Sequence, residues 1–135
     1  MMLNQVETSS PDDVAPGQTY EHAARAGDFI FVSGQIAKDE AGSWVGGDAT
    51  NQATQVYRNL DRVLTHMGAT RYDVVKVTTF LTDVRDKDAV TKVRLNYFGD
   101  HRPPHTGMTV AALGFPEITM EVEVVAYLPK GKTAR

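Results

Sequence analysis

From Thr119 to Tyr127 the chain alternates without interruption. Met120, Val122, Val124 and Ala126 fall on one side of an extended strand, and Glu121, Glu123, Val125 and Tyr127 on the other. The apolar side of such a strand has to be covered by a second layer, which commits the chain to a sheet packed on something else. The opposite side pairs two carboxylates with Val125 and Tyr127. If that side is even partly buried, Glu121 or Glu123 requires a hydrogen-bonding partner or an altered pKa, because an unpaired buried charge is costly. A second apolar run, Pro103 to Leu113, precedes it across a tight connection, Gly114-Phe115-Pro116-Glu117, and also reads as a strand.

The rest of the chain supplies the other layer. Residues 1–19 are polar and contain Pro11 and Pro16, the composition of an extended or frayed arm. Tyr20 to Ala26 reads as a short strand, turned by Gly27-Asp28 into Phe29-Ile30-Phe31-Val32-Ser33. Gly34 at that strand's end predicts a bulge or a close backbone approach. Asp39 to Gly47 is a turn-rich loop or flap around Trp44. The period then changes: Ala53, Val56, Tyr57, Leu60, Val63, Leu64 and Met67 recur at three and four, predicting a helix capped by Asp48 or Thr50 and closed by Gly68. Asp73 to Asp83 reads as a central strand with Val75, Val77, Thr79 and Leu81 on one face. A second helix spans about Asp86 to Phe98 and ends at Gly99. The outcome is an α+β fold, a mixed sheet with two helices on one face. Its second face also carries apolar groups and is expected to pack in a symmetric homo-oligomer.

A chain of 135 residues with 41% apolar content fits a single domain over residues 20–130, followed by a basic tail at 131–135. It has no cysteine, hence no disulfide, thiolate nucleophile or cysteine metal site, which suits a reducing cytoplasm. No apolar run approaches ~18 residues and no basic-then-apolar leader is present, so neither a membrane span nor a signal peptide is expected. With a net charge of −3, and with Lys130, Lys132 and Arg135 reading as a solvated tail, no nucleic-acid partner is expected. The glycines at 42, 46 and 47 do not fit a phosphate-binding loop.

Several segments, in order, resemble the Rid family (YjgF/UK114). They are Phe31-Val32-Ser33-Gly34-Gln35-Ile36, the helix 52–68 with Asn59-Leu60, Asp73 through Asp83, Tyr97-Phe98, Thr109-Val110-Ala111-Ala112-Leu113 and Met120-Glu121-Val122-Glu123. The likeness covers roughly Tyr20 to Leu128. It implies a chorismate-mutase-like fold and a homotrimer whose sheets form an inner β-barrel, with ligand clefts between subunits. It also implies hydrolysis of reactive enamines or imines such as 2-aminoacrylate to a 2-oxo acid and ammonia, without metal or cofactor. Residue by residue, the water-positioning Glu falls on Glu121, the cleft Tyr on Tyr20 and the cleft backbone on Ser33 and Gly34. The family's carboxylate-binding Arg falls on His105. Histidine cannot make two parallel bonds to a carboxylate, so the chain resembles a divergent branch. Arg102 is a substitute candidate, although Pro103-Pro104 holds it about 9 to 10 Å away.

Each functional reading has a plain alternative. Glu121 is a water-positioning base or a rim carboxylate; Glu123 is an interface pair. His105 contacts ligand or moves a proton, or fills the space of the missing Arg. Tyr20 is a cleft wall or strand packing, Trp44 a lid or loop packing, and Arg102 an anion contact or a free surface charge. Ser33 lacks the elbow of a nucleophile and contributes its backbone. His101 and His105 are kept off one helix face by two prolines, so no metal site is expected; His22 and His66 read as surface groups. The leading function is a small-molecule imine or enamine deaminase with Glu121 and His105 as its catalytic groups. The alternatives are a non-catalytic metabolite-binding trimer and, disfavoured by charge, a ribonuclease.

Overall fold

A computed structural model describes residues 6–131. Its strands are β1 (Val6–Ser9), β2 (Ala23–Ala26), β3 (Phe29–Gln35), β4 (Val74–Leu81), β5 (His105–Thr109) and β6 (Met120–Tyr127); its helices are α1 (Ala49–His66) and α2 (Lys87–Phe98). They form one six-stranded mixed sheet in the order β1-β2-β3-β6-β4-β5, in which only β4 and β5 run parallel. The two helices and the sheet's inner face share one core.

The helix boundaries follow local chemistry. The Asp48 carboxylate accepts from Asn51 N at 2.9 Å, and Gly68 at φ +82° ends α1 in a conformation that costs glycine little. Val56, Leu60, Val63 and Leu64 are fully buried against the sheet. Opposite them lie Met120, Val122, Val124 and Ala126, each 2% exposed or less. Each Val or Met buried in this way stabilises the fold by about 1.5–3 kcal/mol relative to exposure.

Four expectations change. First, the described part of the arm is not frayed: Val6–Ser9 pairs with β2, and Val14 and Ala15 are buried. The predicted basic tail, Lys132 and Arg135 included, lies outside the described residues apart from residue 131. Second, β2 starts at Ala23, which leaves Tyr20 in a loop. Third, Val75 does not share the buried face with Val77. A bulge between Val74 and Lys76 inverts the alternation, so Val74 and Val77 point inward and Val75 is 41% exposed. Fourth, the run from Pro103 to Leu113 is a strand only over His105–Thr109. β5 lies at the sheet edge beyond β4, and residues 110–119 carry the chain across to β6 between β3 and β4. Buried Gln52 anchors that connection by donating to Glu117 O and accepting from Thr119 N.

The outer sheet face has no layer from its own chain. Phe29, Phe31, Val75 and Tyr127 are between 41% and 48% exposed there, with the Phe29 and Tyr127 rings in edge contact. Among the described residues, no helix is long and apolar enough to cross a membrane.

Candidate active site

The bulge at the end of β3 makes the first half of the site. Register slips between Val32 and Gln35, so Ser33 and Gly34 together oppose the single residue Glu123 of β6. Glu121, on the outer face of β6, lays its side chain over Gly34. A Cβ at position 34 would stand 1.9 Å from Glu121 Oε2 and 2.6 Å from its Cδ. Both outcomes predicted for this glycine, a bulge and a close approach, therefore occur together. The carboxylate is half-buried, and among the described residues it has no hydrogen-bond donor. Burial, and secondarily the like charge of Glu123 two residues on, push its pKa up. A carboxylate in that condition is a better proton acceptor than an exposed one.

Tyr20 stands beside it. Its ring folds onto Gly17 and meets His22 edge-on at 5.9 Å, and its hydroxyl is pushed up in pKa by burial and by the Glu121 charge. Tyr20, Gly34, Gln18, Lys38, Gly114 and Phe115 line a cleft of about 440 Å³. Trp44 is not in its lining; its ring lies tilted against Phe115 at 5.1 Å, with the Lys38 ammonium 4.7 Å from the indole centroid, and so buttresses the rim. The Ser33 hydroxyl is buried without a partner among the described residues, while its N–H donates to His22 O. Glu123 is exposed, cross-strand from Thr78.

Beneath the cleft lies a polar network that sequence reasoning missed. His22 is not a surface group: it is 5% exposed, with Nε2 bonded to Ala15 O at 2.7 Å and Nδ1 to Gln35 Nε2 at 3.1 Å. Asn59 donates to Ile36 O and Lys38 O and accepts from Gln55. These bonds hold the segment after the bulge to α1. The only available sign was a run of polar residues (Gln52, Gln55, Asn59) on the helix face that carries Val56 and Leu60. His66 is exposed as expected, bonded to Ser9 Oγ.

His105 sits elsewhere. In the parallel pairing it lies beside Val77, and its Nε2 is 2.9 Å from Thr79 Oγ1, so it faces the helix side of the sheet. Glu121 faces the other side, and a single chain does not bring the two together. Gly107 leaves room for the imidazole: a Cβ there would stand 3.1 Å from His105 Cε1. Burial, then Arg94 and Lys76, push the His105 pKa down, so the ring is neutral at pH 7 and carries no charge for an anion. His105, Thr79, Met108, Lys87 and Arg94 line a cavity of about 490 Å³ between β5 and α2. Arg94 was also missed, though Lys87, Thr91 and Arg94 recur at four and three along α2 and so share a face. Arg102 turns away, donating to Gly99 O and His101 O at the end of α2. His101 donates to Val74 O and does not join His105. Among the described residues no group of three His, Asp or Glu side chains is placed to hold a metal.

Known proteins resemble this chain in sequence and in fold. The family model described as endoribonuclease L-PSP matches residues 10–128. A RutC family protein of Pyrococcus abyssi is 37% identical over 119 residues, 87% of this chain and 91% of its own. The human protein named 2-iminobutanoate/2-iminopropanoate deaminase is 34% identical over 116 residues, 83% of each chain. Among solved structures, RidA from an Antarctic Psychrobacter superposes with a TM-score of 0.84 at 28% identity, covering 90% of this chain and 99% of its own. Yeast Mmf1 superposes with a TM-score of 0.87 at 28% identity, covering 91% and 98%. With a family match over residues 10–128 and relatives more than 30% identical over most of both chains, the chain belongs to the Rid (YjgF/UK114) family.

Proposed function

We propose that this protein is a RidA-like hydrolase that deaminates a small imine or enamine in a cleft between subunits, with Glu121 positioning the water. The observation that carries this reading is the Glu121 carboxylate itself, half-buried over Gly34, without a donor from the described residues and raised in pKa. Human and rat relatives that bear the name 2-iminobutanoate/2-iminopropanoate deaminase supply the substrate class. Glu121 accepts a proton as water adds across C=N, and the resulting carbinolamine collapses to the carbonyl compound and ammonia. An enamine first takes a proton at carbon to become the imine. No redox step is involved, and the reading needs neither metal nor cofactor.

The exposed aromatic face around Phe31 supports a homotrimer with the six-stranded sheets facing an inner barrel. In that assembly the Glu121 half-site of one subunit meets the His105 half-site of its neighbour, which reconciles two groups that one chain holds on opposite faces. Tyr20, Ser33 and Gly34 then shape the cleft, and neutral His105 contacts the substrate nitrogen or relays a proton.

A second reading, a trimer that binds a metabolite without turning it over, is favoured by one observation: the neutral ring of His105 stands in place of a guanidinium. The deciding assay is ammonia release from 2-aminoacrylate and 2-iminobutanoate generated in situ, for wild type and Glu121→Gln. Catalysis requires turnover in wild type and its loss in Glu121→Gln with ligand binding kept. Turnover that survives Glu121→Gln removes the water-positioning role, and absence of turnover in wild type leaves the binding trimer.

A further inference from the structure

The cavity between β5 and α2 carries a charge imbalance that none of its described lining residues answers. Lys87 and Arg94 line it, and no acidic side chain is among its described lining residues. Arg94 differs from every other described arginine. Arg25 donates to Leu128 O, Arg58 to Gln55 and Arg102 to Gly99 O; Arg62 pairs with Asp13 and Glu40, and Arg85 with Asp83; Arg71 lies over the Tyr97 ring. Arg94 is half-buried yet makes no hydrogen bond or ion pair with any described residue. A guanidinium that lines a cavity with its donor fork unmatched by the protein is free to take two oxygens of an external anion.

We propose that this cavity is a carboxylate-binding subsite in which Arg94, from α2, takes the carboxylate of a small 2-imino or 2-oxo acid, with Lys87 as a second charge. The planar fork of Arg94 matches two carboxylate oxygens, which the single donor of neutral His105 cannot do. Leu81, Val90 and Met108 in the same lining receive the acid's short alkyl group. The choice of acid rests on the deaminase reading above, and the inference assigns the residue that holds its carboxylate. Arg94 thereby supplies from a helix the recognition that His105 on β5 lacks.

The test is calorimetric titration with 2-oxobutanoate and with its neutral amide, on wild type, Arg94→Gln and the double variant Arg94→Gln/His105→Arg. Wild type is expected to bind the acid more tightly than the amide by about 10- to 100-fold, the range of a charge-assisted pair. Arg94→Gln removes that preference while keeping the amide's affinity. The double variant restores it by returning a guanidinium to the same cavity, a rescue that a merely structural role of Arg94 would not give. The proposal is overturned if wild type shows no preference for the acid, if Arg94→Gln keeps it, or if Arg94→Gln loses acid and amide alike with no rescue by His105→Arg. The two readings fail separately. Wild type that binds the acid through Arg94 but releases no ammonia defeats the enzyme, while Arg94→Gln that deaminates with unchanged KM defeats the subsite.

Discussion

Replacing Gly34 by alanine tests whether the position of the Glu121 carboxylate matters. The new Cβ would stand 1.9 Å from Oε2, 2.6 Å from Cδ and 2.9 Å from Cγ, all in the flexible side chain of Glu121. No positive φ is recorded at this glycine, so alanine's backbone is tolerated. The side chain yields instead: reaching an ordinary contact near 3.4 Å moves the carboxylate by about 1.5 Å (3.4 − 1.9). A misplacement of that size costs roughly 10²-fold in rate, or about 2.7 kcal/mol of transition-state stabilisation. Global stability changes little, because Glu121 swings toward solvent and no buried group loses a partner. The assay pairs a thermal melt with kcat/KM for ammonia release from 2-iminobutanoate. The expected result is a folded protein with Tm within a few degrees of wild type and activity down about 100-fold. A folded Gly34→Ala protein with unchanged kcat/KM refutes the reasoning, since the carboxylate cannot remain where it is.

The remaining predictions concern pH, the buried network and the outer face. Activity is expected to fall as pH drops through the raised Glu121 pKa, an acid limb above the ordinary carboxylate range; Glu123→Gln removes one cause of the shift and moves that limb to lower pH in a kcat/KM profile. The sign for stability is the reverse: a carboxyl whose folded pKa is raised stabilises the fold at low pH and loses that contribution as pH rises through the folded value. Glu121→Gln is therefore expected to melt higher than wild type at pH 7, with the difference vanishing in acid, and an equal or lower Tm at pH 7 would contradict the burial argument. Asn59→Ala strands the carbonyls of Ile36 and Lys38 and the amide of Gln55, and is expected to cost about 3 kcal/mol, a Tm loss of roughly 10 °C by calorimetry. Phe31→Lys places a charge in the middle of the outer aromatic face and is expected to yield monomer in sedimentation velocity; an unchanged oligomer would show that this face is not the subunit contact.

Alternation and helical period were sufficient for most of the architecture, because each records a burial pattern that local geometry imposes. Both helices, their glycine stops, and the two faces of β6 were legible in residue order alone, as was the special role of Gly34. The family likeness also located Glu121 and Tyr20 beside that glycine. What residue order did not contain was which strands become neighbours. β6 enters the sheet between β3 and β4, and β5 joins the far edge in parallel, by pairings that link residues distant in the chain. That single choice turns His105 to the helix side and Glu121 to the other, and so separates two groups read as partners. The bulge at Val74 inverted β4's expected faces for a related reason: one extra residue costs little locally but reverses every side chain before it. The state of each candidate group was decided later still. Whether a carboxylate is raised, an imidazole kept neutral or an arginine left without a partner depends on burial and on charges brought in from other elements, and those exist only once the chain has folded.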